Sequence, residues 1–68
     1  MSMNIILNGK DCELTSGATI VDLLETRHIV GKRIAVEVNE EILPRSEYGR
    51  YRLHEHDRVE IVGAIGGG

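Results

Sequence analysis

An α+β domain, with one helix laid on one face of a mixed sheet of four to five strands, is the fold class this sequence predicts. Three observations lead there: apolar residues alternate with a period of two in several separate runs, one stretch carries apolar residues at i, i+3 and i+4, and an Asn-Gly pair separates the first two runs. At 68 residues the chain makes one domain, of a size that buries only about 60% of the surface its unfolded form exposes. Such a body has little room for an enclosed catalytic pocket.

The elements follow in order. In residues 3–7, MNIIL, Met3, Ile5 and Leu7 share one face, and Asn8-Gly9 behind them is a strong hairpin signal because both residues tolerate positive φ. The return strand is residues 10–14, KDCEL, with Cys12 and Leu14 on its inward face. Thr19 followed three residues later by Asp22 is a capping-box pattern and predicts a helix start. Ile20, Leu23 and Leu24 form its apolar stripe, Arg27 and His28 suit its C-terminal end, and Gly31 permits the exit. Residues 32–39, KRIAVEVN, alternate again, with Ile34, Val36 and Val38 on one face and Ala35 and Glu37 on the other. Asn39, Glu40 and Glu41 are expected to turn the chain into a short edge strand at residues 42–44, where Pro44 lacks the N–H of a central ladder. Residues 45–57 are polar and irregular with Leu53 as apolar anchor, and RVEIV, residues 58–62, is the final strand. A hairpin, a helix that crosses one sheet face and a return to a mixed sheet are the order of a β-grasp fold. The expected division is a folded body, residues 1–62, and a glycine-rich tail, residues 63–68.

Composition excludes several classes. The net charge is −3 and the only aromatics are Tyr48 and Tyr51, whereas a nucleic-acid partner asks for a basic stripe and stacking rings. No apolar run approaches the ~20 residues of a membrane-spanning helix, and no secretory leader precedes the first strand. No membrane partner and a cytoplasmic location are therefore expected. The lone Cys12 cannot make an internal disulfide, which suits a reducing compartment, and one cysteine is too few for a [2Fe–2S] cluster. Either Met1 or Met3 can be the natural start.

The chain closes on GAIGGG, Gly63 to Gly68. A glycine run alone is also what an unstructured end gives. Together with LNGK after the first strand, VEVNEEILPRS at residues 36–46 and DRVEIVGAIGGG at residues 57–68, it resembles the ubiquitin-like sulfur carriers, in particular the thiamin-biosynthesis family, ThiS. The likeness covers essentially the whole chain. One departure is His56-Asp57, where the family commonly has Gly-Asp before the last strand.

The resemblance implies a protein co-substrate and not an enzyme. The Gly68 carboxylate, ionised at neutral pH with a pKa near ~3.5, is a poor electrophile; a ubiquitin-activating-type adenylyltransferase (ThiF type) joins it to AMP at the expense of ATP and magnesium. A persulfide-derived sulfur then displaces AMP, and the resulting thiocarboxylate supplies the sulfur of the thiamin thiazole ring at a thiazole synthase (ThiG type). No cofactor is bound by the carrier itself. Gly66 and Gly67 let the tail pass into narrow partner sites, since six residues beyond Val62 reach at most ~20 Å and glycine has no Cβ. Ala64 and Ile65 in the tail, with Ile6 and Val62 on the outward sheet face, are the candidate docking residues. The small sulfur-carrying subunit of molybdopterin synthase, usually longer, and a ubiquitin-like modifier that joins Gly68 to lysines share these features, and a passive binding domain with an incidental tail is the remaining alternative.

Other polar residues carry less. His54, His56 and Asp57 are short of the four ligands of a structural metal site, so no metal is expected. Cys12 points inward as a small core residue without a role. Glu40, Glu41, Glu47, Glu55 and Asp57 are expected to form a solvated acidic surface, which also attracts a basic patch on an activating partner.

Overall fold

A computed structural model describes residues 1–29 and 33–63. The elements are β1 (Ser2–Leu7), β2 (Lys10–Thr15), α1 (Ile20–Thr26), β3 (Ile34–Val38), β4 (Glu41–Leu43), a 3₁₀ turn (Arg45–Glu47) and β5 (Arg58–Gly63). The strands form one sheet in the order β2-β1-β5-β3-β4. The β1–β5 pair is parallel and the other neighbours are antiparallel. Among the described residues no helix is long and apolar enough to cross a membrane.

Alternation decides which face is buried. Met3, Ile5 and Leu7 of β1, Cys12 and Leu14 of β2, Val36 and Val38 of β3 and Val59 of β5 join Ile20 and Leu23 of α1 in one core. Ile5, Ile20, Leu23, Val36 and Val59 are the largest fully buried side chains. Truncation of any of these to alanine would remove apolar contacts and leave a cavity in that core.

Helix α1 is two turns long, so its ends matter more than its propensity. Thr19 Oγ1 accepts from the Asp22 N–H at 3.2 Å and Asp22 Oδ2 accepts from the Thr19 N–H at 2.9 Å, the reciprocal box expected from their spacing. A third orphan donor, the Val21 N–H, is satisfied from across the chain by the Tyr48 carbonyl at 3.0 Å. At the other end, the Ile29 N–H reaches the Leu24 carbonyl at 2.8 Å and the His28 N–H the Glu25 carbonyl at 3.1 Å, a Schellman closure.

Four details differ from expectation. The residue that closes α1 in the left-handed conformation is His28, φ 57°; Gly31, expected to permit the exit, lies outside the described residues. Glu41 belongs to β4, because Asn39 and Glu40, both at positive φ, already complete a two-residue turn. Strand β5 continues through Gly63, paired with Ile34, so the folded body extends one residue past Val62. The segment 45–57 is more ordered than its polarity suggests: Pro44 opens the 3₁₀ turn, Tyr48 joins Leu53 in the core, and the Leu53 N–H bonds the Ala18 carbonyl at 2.8 Å.

His56 stands at φ 70° with its N–H on the Asn4 carbonyl at 2.7 Å, in the left-handed region that disfavours a side chain with Cβ. The conformation costs about 1 kcal/mol or more, while glycine returns roughly half of that through its more disordered unfolded state. His56→Gly is therefore expected to stabilise the fold by about 0.5–1 kcal/mol. A thermal melt reads this as a midpoint several degrees higher; an unchanged or lower midpoint would count against strain at this turn.

Candidate functional site

The candidate site is the root of the tail and the sheet face around it. Strand β5 is central, between β1 and β3, and its last residues are the last described before the tail. Ala64, Ile65, Gly66, Gly67 and Gly68 lie outside the described residues.

Two hairpin asparagines hold β5. At its start, Asn39 (φ 52°) donates its backbone N–H to the Arg58 carbonyl at 2.7 Å and accepts the Arg58 N–H on Oδ1 at 2.9 Å. Towards its end, Asn8 (φ 50°) donates its backbone N–H to the Val59 carbonyl at 2.9 Å and accepts the Ile61 N–H on Oδ1 at 2.9 Å. Gly9, at φ 84°, completes the Asn-Gly turn in the conformation that pair favours.

Asp57, at the entry to β5, is buried with 8% of its surface exposed. Its Oδ1 accepts from Asn39 Nδ2 at 3.1 Å, and its Oδ2 accepts from the Tyr51 hydroxyl at 3.2 Å and the His54 N–H at 2.9 Å. It is thus a structural hub and not part of the solvated acidic surface expected of it. Burial, reinforced by the charge of Asp57 and the hydrogen bond to it, pushes the Tyr51 phenol above its ordinary range and keeps it a donor. The His54 ring nitrogen stands 3.8 Å from the same carboxylate, and His56 pairs with Glu55 at 3.6 Å. Among the described residues no group of three or more His, Cys, Asp or Glu side chains is arranged to hold a metal ion.

On the outward sheet face, Ile6 is half-buried and aligned between Asp11 of β2 and Arg58 of β5. Val62 is 58% exposed and pairs with Ala35. The two apolar residues share a face, but four residues of β5 separate Val62 from the Ile6 level, about 13 Å along the strand. The residue that sequence patterning missed is Ile42, 74% exposed on edge strand β4 opposite Glu37. Alternation across the Asn39-Glu40 turn was the available signal, since Leu43 points inward against Val36. Val62, Ala35 and Ile42 border the paired Glu37 and Glu60. Beside them a shallow groove of about 300 Å³ is lined by Arg33, Ile34, Ala35, Val62 and Gly63, directly at the tail root.

Cys12 is buried, and Arg27 Nη2 lies 3.1 Å from its sulfur. That places it in the core beneath α1, away from the tail root.

A small one-helix sheet whose central strand ends in a glycine-rich segment defines a ubiquitin-like β-grasp protein. Within that class the chain belongs to the ThiS family, whose family model matches residues 5–68. The sulfur carrier protein ThiS of Bacillus subtilis is 40% identical over 63 residues, covering 91% of this chain and 96% of that protein. A crystal structure of the thiamine biosynthesis protein (ThiS) from Geobacter metallireducens superposes with a TM-score of 0.83 at 28% identity, covering 97% of this chain and all of that one. A thiazole synthase of Paramagnetospirillum magneticum is 35% identical over 66 residues; the chain spans about 20% of that protein's length.

Proposed function

We propose that this chain is a sulfur carrier of thiamin biosynthesis, working as a protein co-substrate through the carboxylate of Gly68. The observation that supports this most is the family match that runs unbroken from the first strand to the terminal glycines.

The chemistry begins with a carboxylate that no nucleophile attacks at neutral pH. A ubiquitin-activating-type adenylyltransferase of the ThiF type, holding ATP and magnesium, transfers AMP to one carboxylate oxygen and releases pyrophosphate. The terminal sulfur of a persulfide attacks the activated acyl carbon and AMP leaves with that oxygen, forming an acyl disulfide. A thiol cleaves the S–S bond, is itself oxidised to a disulfide, and leaves the thiocarboxylate on Gly68. A thiazole synthase of the ThiG type consumes that sulfur, a pairing supported by the likeness between this chain and part of a protein so named.

The fold supplies delivery and no catalysis. Five residues beyond Gly63 reach at most about 18 Å, and the Gly66-Gly67 stem passes where a side chain would block. Docking is assigned to Val62, Ala64 and Ile65, together with Ala35, which pairs with Val62, and the exposed Ile42 on the same sheet face; Glu37 and Glu60 on that face suit a basic rim on the partner. Ile6, farther along the face, is left for the periphery of that contact.

Intact mass spectrometry of the protein from its own source organism tests this directly. A fraction heavier by the difference between one sulfur and one oxygen, localised to the C-terminal peptide, is expected. Conjugates to larger proteins would assign a modifier instead, and a thiocarboxylate whose loss removes molybdenum-cofactor function but no thiazole requirement would move the carrier to that pathway.

A further inference from the structure

We propose that Asn8 is a positioning residue for the carrier reaction, its carboxamide extending the sheet beyond the end of β1 to aim the root of the tail. The inference rests on the carrier function proposed above.

Strands β1 and β5 run parallel, but their register pairs Ile6 with Arg58 and Leu7 with Val59, and β1 then ends. Strand β5 continues four residues farther, to Gly63. On its other side it stays paired with β3 throughout, up to Ile34 opposite Gly63. On the β1 side its backbone would meet only the reversing hairpin. The side chain of Asn8 fills that role: Oδ1 accepts the Ile61 N–H at 2.9 Å, and Nδ2 approaches the Ile61 carbonyl at 3.5 Å, in the places a further β1 residue's backbone would occupy. The same residue's backbone N–H bonds the Val59 carbonyl at 2.9 Å, so one residue spans two successive rungs of β5.

The carboxamide thus holds Ile61 two residues before Gly63. Ordering a glycine-rich segment in a partner site is costly, and each residue held beforehand reduces that cost. Loss of the carboxamide loosens the approach without altering the reacting group, so it weakens productive docking and leaves the chemical step alone.

Asn8→Gly separates the roles, because glycine keeps the left-handed turn and removes both side-chain bonds. Amide exchange at Ile61 in the free protein is expected to accelerate about tenfold, beyond any change in the β1–β2 ladder. With the adenylyltransferase and magnesium ATP, pyrophosphate release should show the carrier's KM raised about three- to tenfold with kcat little changed. Asn8→Asp retains the acceptor for the Ile61 N–H and should restore most of both losses. Equal acceleration across the β1–β2 ladder would assign Asn8 to the hairpin alone and overturn the proposal, as would an unchanged KM in Asn8→Gly. If the native chain itself is not adenylated, the carrier function fails and this role with it; if the native chain reacts and Asn8→Gly matches it, only the role of Asn8 fails.

Discussion

Deleting Gly68, or adding one residue after it, is expected to abolish adenylation while leaving the thermal midpoint nearly unchanged. On the proposed function, a carboxylate oxygen of Gly68 must meet the α-phosphate of ATP in a partner site that takes one tail length, and one residue changes that length by about 3.3–3.6 Å. A misplacement of about 1 Å already costs on the order of a hundredfold in rate, so a whole residue removes the reaction. Stability should not follow, because every buried hydrophobic among the described residues lies between Met3 and Val59. Pyrophosphate release and a melting curve on the same samples give the two readouts. Retained adenylation would refute the role of the Gly68 carboxylate, and a midpoint several degrees lower would make the tail part of the fold.

A large effect on stability is expected at Asp57. Replacement by alanine removes the acceptor for the Asn39 amide, the Tyr51 hydroxyl and the His54 N–H together, three donors from the turn after β3 and the loop before β5. Hydrogen bonds to a charged acceptor count for about 1.5–3 kcal/mol each, and these share one partly solvated carboxylate, so a loss of about 3 kcal/mol is expected for Asp57→Ala. For a domain of this size that lowers the midpoint by roughly 10–20 °C. Asp57→Asn should lose less, about 1–2 kcal/mol, since its amide oxygen still serves Tyr51 and His54 while its NH₂ confronts that of Asn39. Asp57 also contributes to the raised pKa of Tyr51, so an ultraviolet titration should find the phenol ionising at lower pH in either variant. In the native protein the sign is that of an acid held neutral by folding: stability is full below the ordinary tyrosine pKa of about 10 and declines as the pH rises towards the higher folded value. A midpoint that Asp57→Ala leaves intact would show that the three donors find water without cost.

Sequence and structure agree most closely where the interactions are local. The Asn8-Gly9 turn, the Thr19–Asp22 capping box and the alternation in β1, β3 and β5 each depend on residues within a few positions of one another, and each was legible before any contact was known. The inward placement of Cys12 followed from the same period of two. Tyr48 was not legible in that way, because it enters the core from a polar segment and its carbonyl caps a helix twenty-seven residues earlier. His28 likewise looked like a helix-end cation, and its left-handed conformation is set by the Schellman closure around it.

For the candidate site, the sequence by itself determined the glycine-rich tail, the strand that leads to it and the exposed Val62, since a terminal motif and a simple alternation need no tertiary information. Only the tertiary structure decided that Ile42 stands exposed on the sheet face that carries Val62, that Asp57 is a buried hub, and that Asn8 and Asn39 clip the central strand. The physical reason is sequence distance: Asn8 and Ile61 are 53 positions apart. A bond of that kind has no signature in either neighbourhood until parallel pairing of β1 with β5 brings the two together.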